Sequence, residues 1–225
     1  MDRAELEQSR ARLAAQGVVM PDPAAVYVEA TVTVGEGTVL LPGTILRGST
    51  AIGRDCEIGP NAMIRDCVIH DGAVVNASQC NESTIGAGAR VGPFAYIRPN
   101  CVVGANAKVG DFVELKNSTV GDGTKISHLT YVGDSDLGKN VNLGCGTITV
   151  NYDGADKFRT VVGDGAFVGC NSNLIAPVRV GAGAYVAAGS TITDNVPGDS
   201  LAIARAPKVI KLHWVAKRRS RKKRS

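Results

Sequence analysis

The sequence predicts an all-β fold, a parallel β-helix of six-residue repeats, on three observations. The first is a period. Aliphatic residues return every six positions at Val28, Val34, Leu40, Leu46, Ile52, Ile58 and Ile64. After five-residue steps the register resumes at Ile69 and Val75, and it runs from Ile85 to Leu115, Val120 to Leu143 and Val162 to Ile192. Six fits neither the 3.6 of a helix nor simple strand alternation. The second is glycine placement. In 14 of 27 cases Gly directly follows a repeat aliphatic, as at Gly35, Gly53, Gly104 and Gly121. Gly at a fixed phase reads as a recurring turn, because Gly tolerates backbone angles that side chains forbid. The third is composition. Aromatics are 4% while hydrophobic residues reach 44%. That suits short strands joined by tight turns and disfavours a helical bundle or a dinucleotide-binding fold.

Each element follows in chain order. Residues 1–17 read as a helix, with Leu6, Arg10 and Leu13 in helical steps and Gly17 as its stop. Residues 18–198 carry the repeat, in which three hexapeptides make one triangular coil. Stacked coils share backbone hydrogen bonds at ~4.8 Å spacing, so nine to ten coils form a prism roughly 45 Å long. A small residue often sits four places after the aliphatic, as at Thr44, Cys56, Ala62 and Cys101. Residues 150–161, VNYDGADKFRTV, are polar and interrupt the coils as an inserted loop. Residues 199–225 form a C-terminal arm and basic tail.

Charge divides the chain. Residues 200–225 hold ten Lys/Arg and no acid, and the remaining 15 basic residues face 21 acidic ones, a net −6 for the body. The run KRRSRKKR at 217–224 reads as a solvated end or as a weak, salt-sensitive contact for an anionic membrane. Nucleic acid is not expected, since no aromatic residues interleave the run. No stretch approaches the ~20 apolar residues of a membrane span, and the charged N-terminus is no secretory signal, so a cytoplasmic protein is expected. The six cysteines form no CxxC pair and read as small buried thiols of a reducing compartment.

Flat prism faces leave a lone chain without a deep cleft. A site is therefore expected between neighbouring prisms or under the loop, which favours a homo-oligomer. Histidines occur at 70, 128 and 213 only, no two within eight residues, so no metal site is expected. His128 in KISHLTYVG is either a turn histidine or a general base, since imidazole accepts protons near neutral pH. Arg98, Lys116 and Asn142 are either outward polar side chains or a cradle for an anionic, hydroxyl-rich ligand. No Ser-His-Asp or Cys-His signature suggests a covalent intermediate.

The runs GPFAYIRP, VGDFVELKNS, KISHLTYVGDSDLGKNVNLGCGTITVNYDGADKFRT and FVGCNSNLIAPV resemble the bacterial bifunctional N-acetylglucosamine-1-phosphate uridyltransferase / glucosamine-1-phosphate acetyltransferase family. The resemblance covers the acetyltransferase half, a left-handed parallel β-helix, across about residues 1–210, with residues 1–17 as the linker helix. It implies that the uridyltransferase domain and its Mg²⁺ lie outside these residues, in a fragment or a stand-alone enzyme. It further implies acetyl transfer from acetyl-CoA to the amine of glucosamine 1-phosphate by a homotrimer, with no metal in that step. His128 would be the proton acceptor. Arg98 and Lys116 would hold the sugar phosphate, and Tyr131 and Asn142 the sugar. Asn151, Tyr152 and Lys157 on the loop, with Cys145, Cys170, Ala188 and Arg205, would meet acetyl-CoA. The family usually has Ala at the place of Cys145 and Ser at that of Cys170, so Cys170 weakens one hydrogen bond to the donor. The alternatives are a hexapeptide acyltransferase for serine or another amino sugar, and a non-catalytic oligomerisation module.

Overall fold

The computed structural model describes residues 3–222. It is a left-handed parallel β-helix whose short strands fall into three parallel sheets of ten, nine and ten strands. Away from the ends of the stack, each strand pairs with the third strand before and after it, so Val28 registers with Leu46, Val34 with Ile52 and Leu40 with Ile58. The chain thus visits a first, second and third face in turn before rising by one coil. The repeat aliphatics point inward: Leu40, Leu46, Ile58, Ile97 and Leu115 are fully buried. Two inward positions that periodicity passes over are Cys80, between Ile64 and Ile97, and Thr149, beside Leu174. Thr149 is tolerated there because its hydroxyl accepts from Gly133 N and donates to Gly133 O.

The glycines that follow the aliphatics have a different cause from the expected one. Of the 14, only Gly59 and Gly92 take positive φ. The others are required by close stacking. A Cβ at Gly35 would stand 2.6 Å from the carbonyl carbon of Gly53, and one at Gly104 would stand 2.7 Å from that of Gly121. The left-handed corner lies two residues later. There Gly37, Gly43, Gly88 and Gly123 share a phase with Asp55, Asn61, Asn100 and Asn140, all at positive φ.

Helix α1 (Arg3–Ala15) lies against the first coil. It buries Ser9 and Leu13, while Leu6 and Arg10 are half-buried. Arg10 donates to Val26 O and Ala24 O, and Arg12 to Val32 O. The insertion is shorter than expected. Strands Ile148–Val150 and Thr160–Val162 bracket it, so 151–159 leave the coil at the corner between first and second faces. Strand Leu201–Ala202 adds to Tyr185–Val186, and beyond it the arm is exposed. The tail is no featureless end: helix α2 spans Trp214–Lys222, and Lys223 and Arg224 of the basic run lie outside the described residues. Among the described residues, no helix is long and apolar enough to cross a membrane.

The expectation of buried thiols holds for Cys56, Cys67, Cys80 and Cys101 but fails for Cys145 and Cys170, which are half-buried and exposed. Phase explains the difference. Cys80 takes an inward position and the other three flank one, whereas Cys145 and Cys170 sit two places after Leu143 and Val168, on the outer corner.

Candidate active site

The corner between the third and first faces gathers many of the candidate residues. Strand Lys108–Asp111 registers with Lys125–His128, so Asp111 lies directly beside His128 one coil away. Leu143 pairs with Ile126 and with Val168, which stacks Cys145 above His128 and Cys170 above Cys145. Val186 pairs with Val168 and carries Ala188 to the next position of the same edge. Arg205 joins this edge by donating from Nη1 to Ala188 O at 2.6 Å. His128, Cys145, Cys170, Ala188 and Arg205 therefore form one column, climbing ~4.8 Å per coil.

At its foot, His128 Nδ1 lies 2.5 Å from Asp111 Oδ1. The hydrogen bond to His128 is the main reason the Asp111 carboxyl sits below its ordinary range. An ionised carboxylate only accepts, so Nδ1 carries the hydrogen of this bond, and in the neutral ring Nε2 is then the acceptor. The His128 side chain is 54% exposed, open to a substrate. Asp111 escapes sequence reading because it stands 17 residues before His128, amid ordinary surface acids. Only the coil period joins them.

The opposite edge of the first face carries the cations. Arg98 Nη1 donates to Glu114 Oε1 at 2.9 Å, which raises its already high pKa, and both side chains remain over a third exposed. Lys116 reaches Asp134 at 2.9 Å. Asp134 is only 5% exposed and also accepts from Asn117 and Asn151. Burial alone would push the Asp134 carboxyl up, but hydrogen bonds from Asn117, Lys116 and Asn151 outweigh it and hold the group low. Tyr131 lies on the face between the two edges. Its phenol runs over Gly133, where an added Cβ would stand 2.6 Å from the ring.

The inserted loop is anchored at its base. The Asn151 side chain is committed to Asp134, and Phe158 N donates to Asn151 O at 2.9 Å. Arg159 clamps Asp136 with two bonds of 2.9 and 2.6 Å. Tyr152 and Lys157 bridge each other across the exposed tip, where Tyr152 Oη donates to Gly154 O. Asn142 stands apart from Arg98, Lys116 and Tyr131, on the third face between Lys125 and Phe167. Asp134, Asn117 and Arg159 had no signal in the sequence beyond their phase. Among the described residues, no group of three or more His, Cys, Asp or Glu is arranged to hold a metal ion.

Two family models match parts of the chain: the GMPPB C-terminal domain over 79–167, and the bacterial transferase hexapeptide (six repeats) over 31–66 and 159–194. The bifunctional protein GlmU of an Exiguobacterium species is 57% identical over 212 residues, covering 91% of this chain and 47% of that protein. That of a Geobacillus species is 55% identical, covering 88% of this chain and 43% of that protein. This chain belongs to the GlmU family. It corresponds to the C-terminal acetyltransferase half, and it spans just under half the length of the GlmU relatives it matches. Among solved structures, an Arabidopsis UDP-N-acetylglucosamine acyltransferase aligns with TM-score 0.49 at 16% identity, over 91% of this chain and 75% of that one. Within the GlmU frame, Asp111 beside His128 and the two edges of the first face are the geometry to be explained.

Proposed function

We propose that this chain transfers the acetyl group of acetyl-CoA to the amine of glucosamine 1-phosphate, releasing CoA and N-acetylglucosamine 1-phosphate. The observation that carries the reading is the His128–Asp111 pair at the foot of an open column, in a chain 57% identical to a GlmU over 91% of its length. The substrate amine arrives mostly as an ammonium. His128 Nε2 takes its proton, with Asp111 fixing the ring and balancing the imidazolium that forms. The freed amine attacks the thioester carbonyl, the C–S bond of the tetrahedral intermediate breaks, and the departing CoA sulfur takes up the proton that the nitrogen sheds, leaving as the thiol. Holding both substrates against one edge supplies proximity. The step needs no metal.

Arg98 and Lys116 bind the sugar phosphate, with Glu114 and Asp134 fixing their cationic ends. Tyr131 and Asn142 meet the sugar, and since Asn142 lies on another face, a neighbouring prism brings the two surfaces together. Cys145, Cys170, Ala188 and Arg205 line the acetyl-CoA side, and Tyr152 and Lys157 reach it from the loop tip. Asn151 contributes by seating the loop, because its side-chain amide is taken by Asp134. We read residues 1–17 as a linker, 18–198 as the catalytic domain and 199–225 as an arm. The enzyme works in the cytoplasm, supplying UDP-N-acetylglucosamine and envelope synthesis, with weak, salt-sensitive attraction of its basic tail to anionic membrane.

The purified chain should release free CoA thiol from acetyl-CoA with glucosamine 1-phosphate and not with serine. The reverse preference would replace this reading with a serine acyltransferase, and no release with any amine would leave an oligomerisation module. Light scattering should give three times the 23.3 kDa chain mass, and a stable monomer that still turns over would remove the interface site. Asp111→Asn should lower kcat by about 10-fold or more, with KM for both substrates nearly unchanged, because an amide can present its N–H to Nδ1 and favour the wrong tautomer. An unchanged kcat would take Asp111 out of the mechanism.

A further inference from the structure

We propose that Cys145 and Cys170 form a reversible disulfide that closes the donor side of the acetyl-transfer edge under oxidation by a hydroperoxide or a small-molecule disulfide. The closing effect rests on the functional reading above; the bond itself rests on position. These are the two cysteines that are not buried. They occupy the same corner phase of successive coils, in register through Leu143 and Val168, and the coils are tied there by the hydrogen bond from Asn171 N to Cys145 O at 2.8 Å. In-register neighbours stand ~4.8 Å apart along the stack, inside the roughly 4.4–6.8 Å Cα separation that a disulfide spans. Neither belongs to the buried core: Cys145 is half-buried and Cys170 exposed.

The other four thiols are shielded from the same chemistry. Burial pushes the Cys67 thiol up to about 11 and raises Cys56, Cys80 and Cys101, keeping them in the unreactive thiol form. Cys170 is the exposed partner and reacts first. Its thiolate attacks the peroxide oxygen, the O–O bond breaks, an alcohol or water leaves, and Cys170 becomes a sulfenic acid. Cys145 sulfur then displaces hydroxide, which leaves as water, and the S–S bond forms. The two thiols lose two electrons and two protons in total. The bridge lies directly above His128 in the column, where the thioester must sit, and it removes the Cys170 S–H from that wall. A later thiol–disulfide exchange with a small thiol restores the open edge.

The test titrates the full chain with hydrogen peroxide and, separately, with oxidised glutathione, then maps peptides without reduction. The expected result is a Cys145–Cys170 cross-linked peptide, lighter by two hydrogens, that vanishes with dithiothreitol and does not form in Cys145→Ala or Cys170→Ser. Sulfinic acid or a glutathione adduct at Cys170 without the cross-link would overturn the proposal. Acetyl transfer by the wild-type chain should fall at least about 10-fold as the link forms and recover on reduction. Cys145→Ala, which leaves Cys170 oxidisable but unable to bridge, should lose less turnover than the wild type under the same oxidant, each compared with its own reduced form. A cross-link that leaves turnover unchanged would overturn the closing effect. A reduced chain that never acetylates glucosamine 1-phosphate would instead refute the functional reading, while the cross-link would still read out separately.

Discussion

Replacing His128 by Ala is expected to lower kcat by ~10²–10⁴-fold, the usual cost of removing a general base. The KM for acetyl-CoA should barely change, because the residues proposed to meet the donor, Cys145, Cys170, Ala188 and Arg205, stand on higher coils. The imidazole is more than half exposed and supports no core packing. The hydrogen bond from Thr130 Oγ1 to His128 O uses backbone only and survives the substitution. The melting temperature of the variant should therefore match that of the wild type. Steady-state kinetics with both substrates check the result, and wild-type turnover in a folded variant would remove His128 from the chemistry.

Asp134→Ala should produce the largest loss of stability, about 3–5 kcal/mol, the range found when one member of a buried ion pair is removed. One carboxylate satisfies three donors, and without it the Lys116 ammonium and the amides of Asn117 and Asn151 lose a shared acceptor. The loop should loosen as well, since Asn151 is its first residue. Because the Asp134 pKa is depressed on folding, its stabilisation is present above the unfolded carboxylate value of ~3.9 and disappears as pH falls through the lower folded value. Urea unfolding of the wild type should weaken steeply below about pH 4. The Ala variant should be weaker at pH 7 and show a shallower acid limb. Equal stabilities at pH 7 would mean that water replaces the carboxylate without cost.

The inward stripe was legible because burying a prism interior requires an aliphatic at each repeat, and Leu40 or Ile97 can be found by counting. Cys80 and Thr149 occupy the same interior without being aliphatic, so counting passes over them. The phase of the glycines was legible but its cause was not: no sequence shows that a Cβ at Gly35 would strike Gly53. His128 stood out as a rare residue type in a distinctive run. Asp111 and Asp134 did not, because acids are common on any surface and these two matter only through neighbours one coil away. Arg98, Lys116 and Asn142 are close in sequence, yet Arg98 and Lys116 share the first face with Tyr131 while Asn142 lies around a corner on the third. The length of each coil, 16 to 18 residues outside the insertion, decides such questions and must be counted without slippage.

The docking of α1 on the first coil gives the prism unequal ends. A solenoid is held together by nearest-neighbour contacts, so opening starts at whichever terminus costs least to detach. At one end Leu13 is buried and Arg10 and Arg12 hold four carbonyls, so that coil cannot peel without the helix. At the other, the two-residue strand Leu201–Ala202 is the outermost layer, with Leu201 facing solvent. Amide hydrogen exchange should therefore run as a gradient along the axis, slow near Leu46 and fast beyond Ile192. The column from His128 to Arg205 lies along that gradient. Its His128 end is set in the middle of the stack, and its Arg205 end in the coils that breathe most.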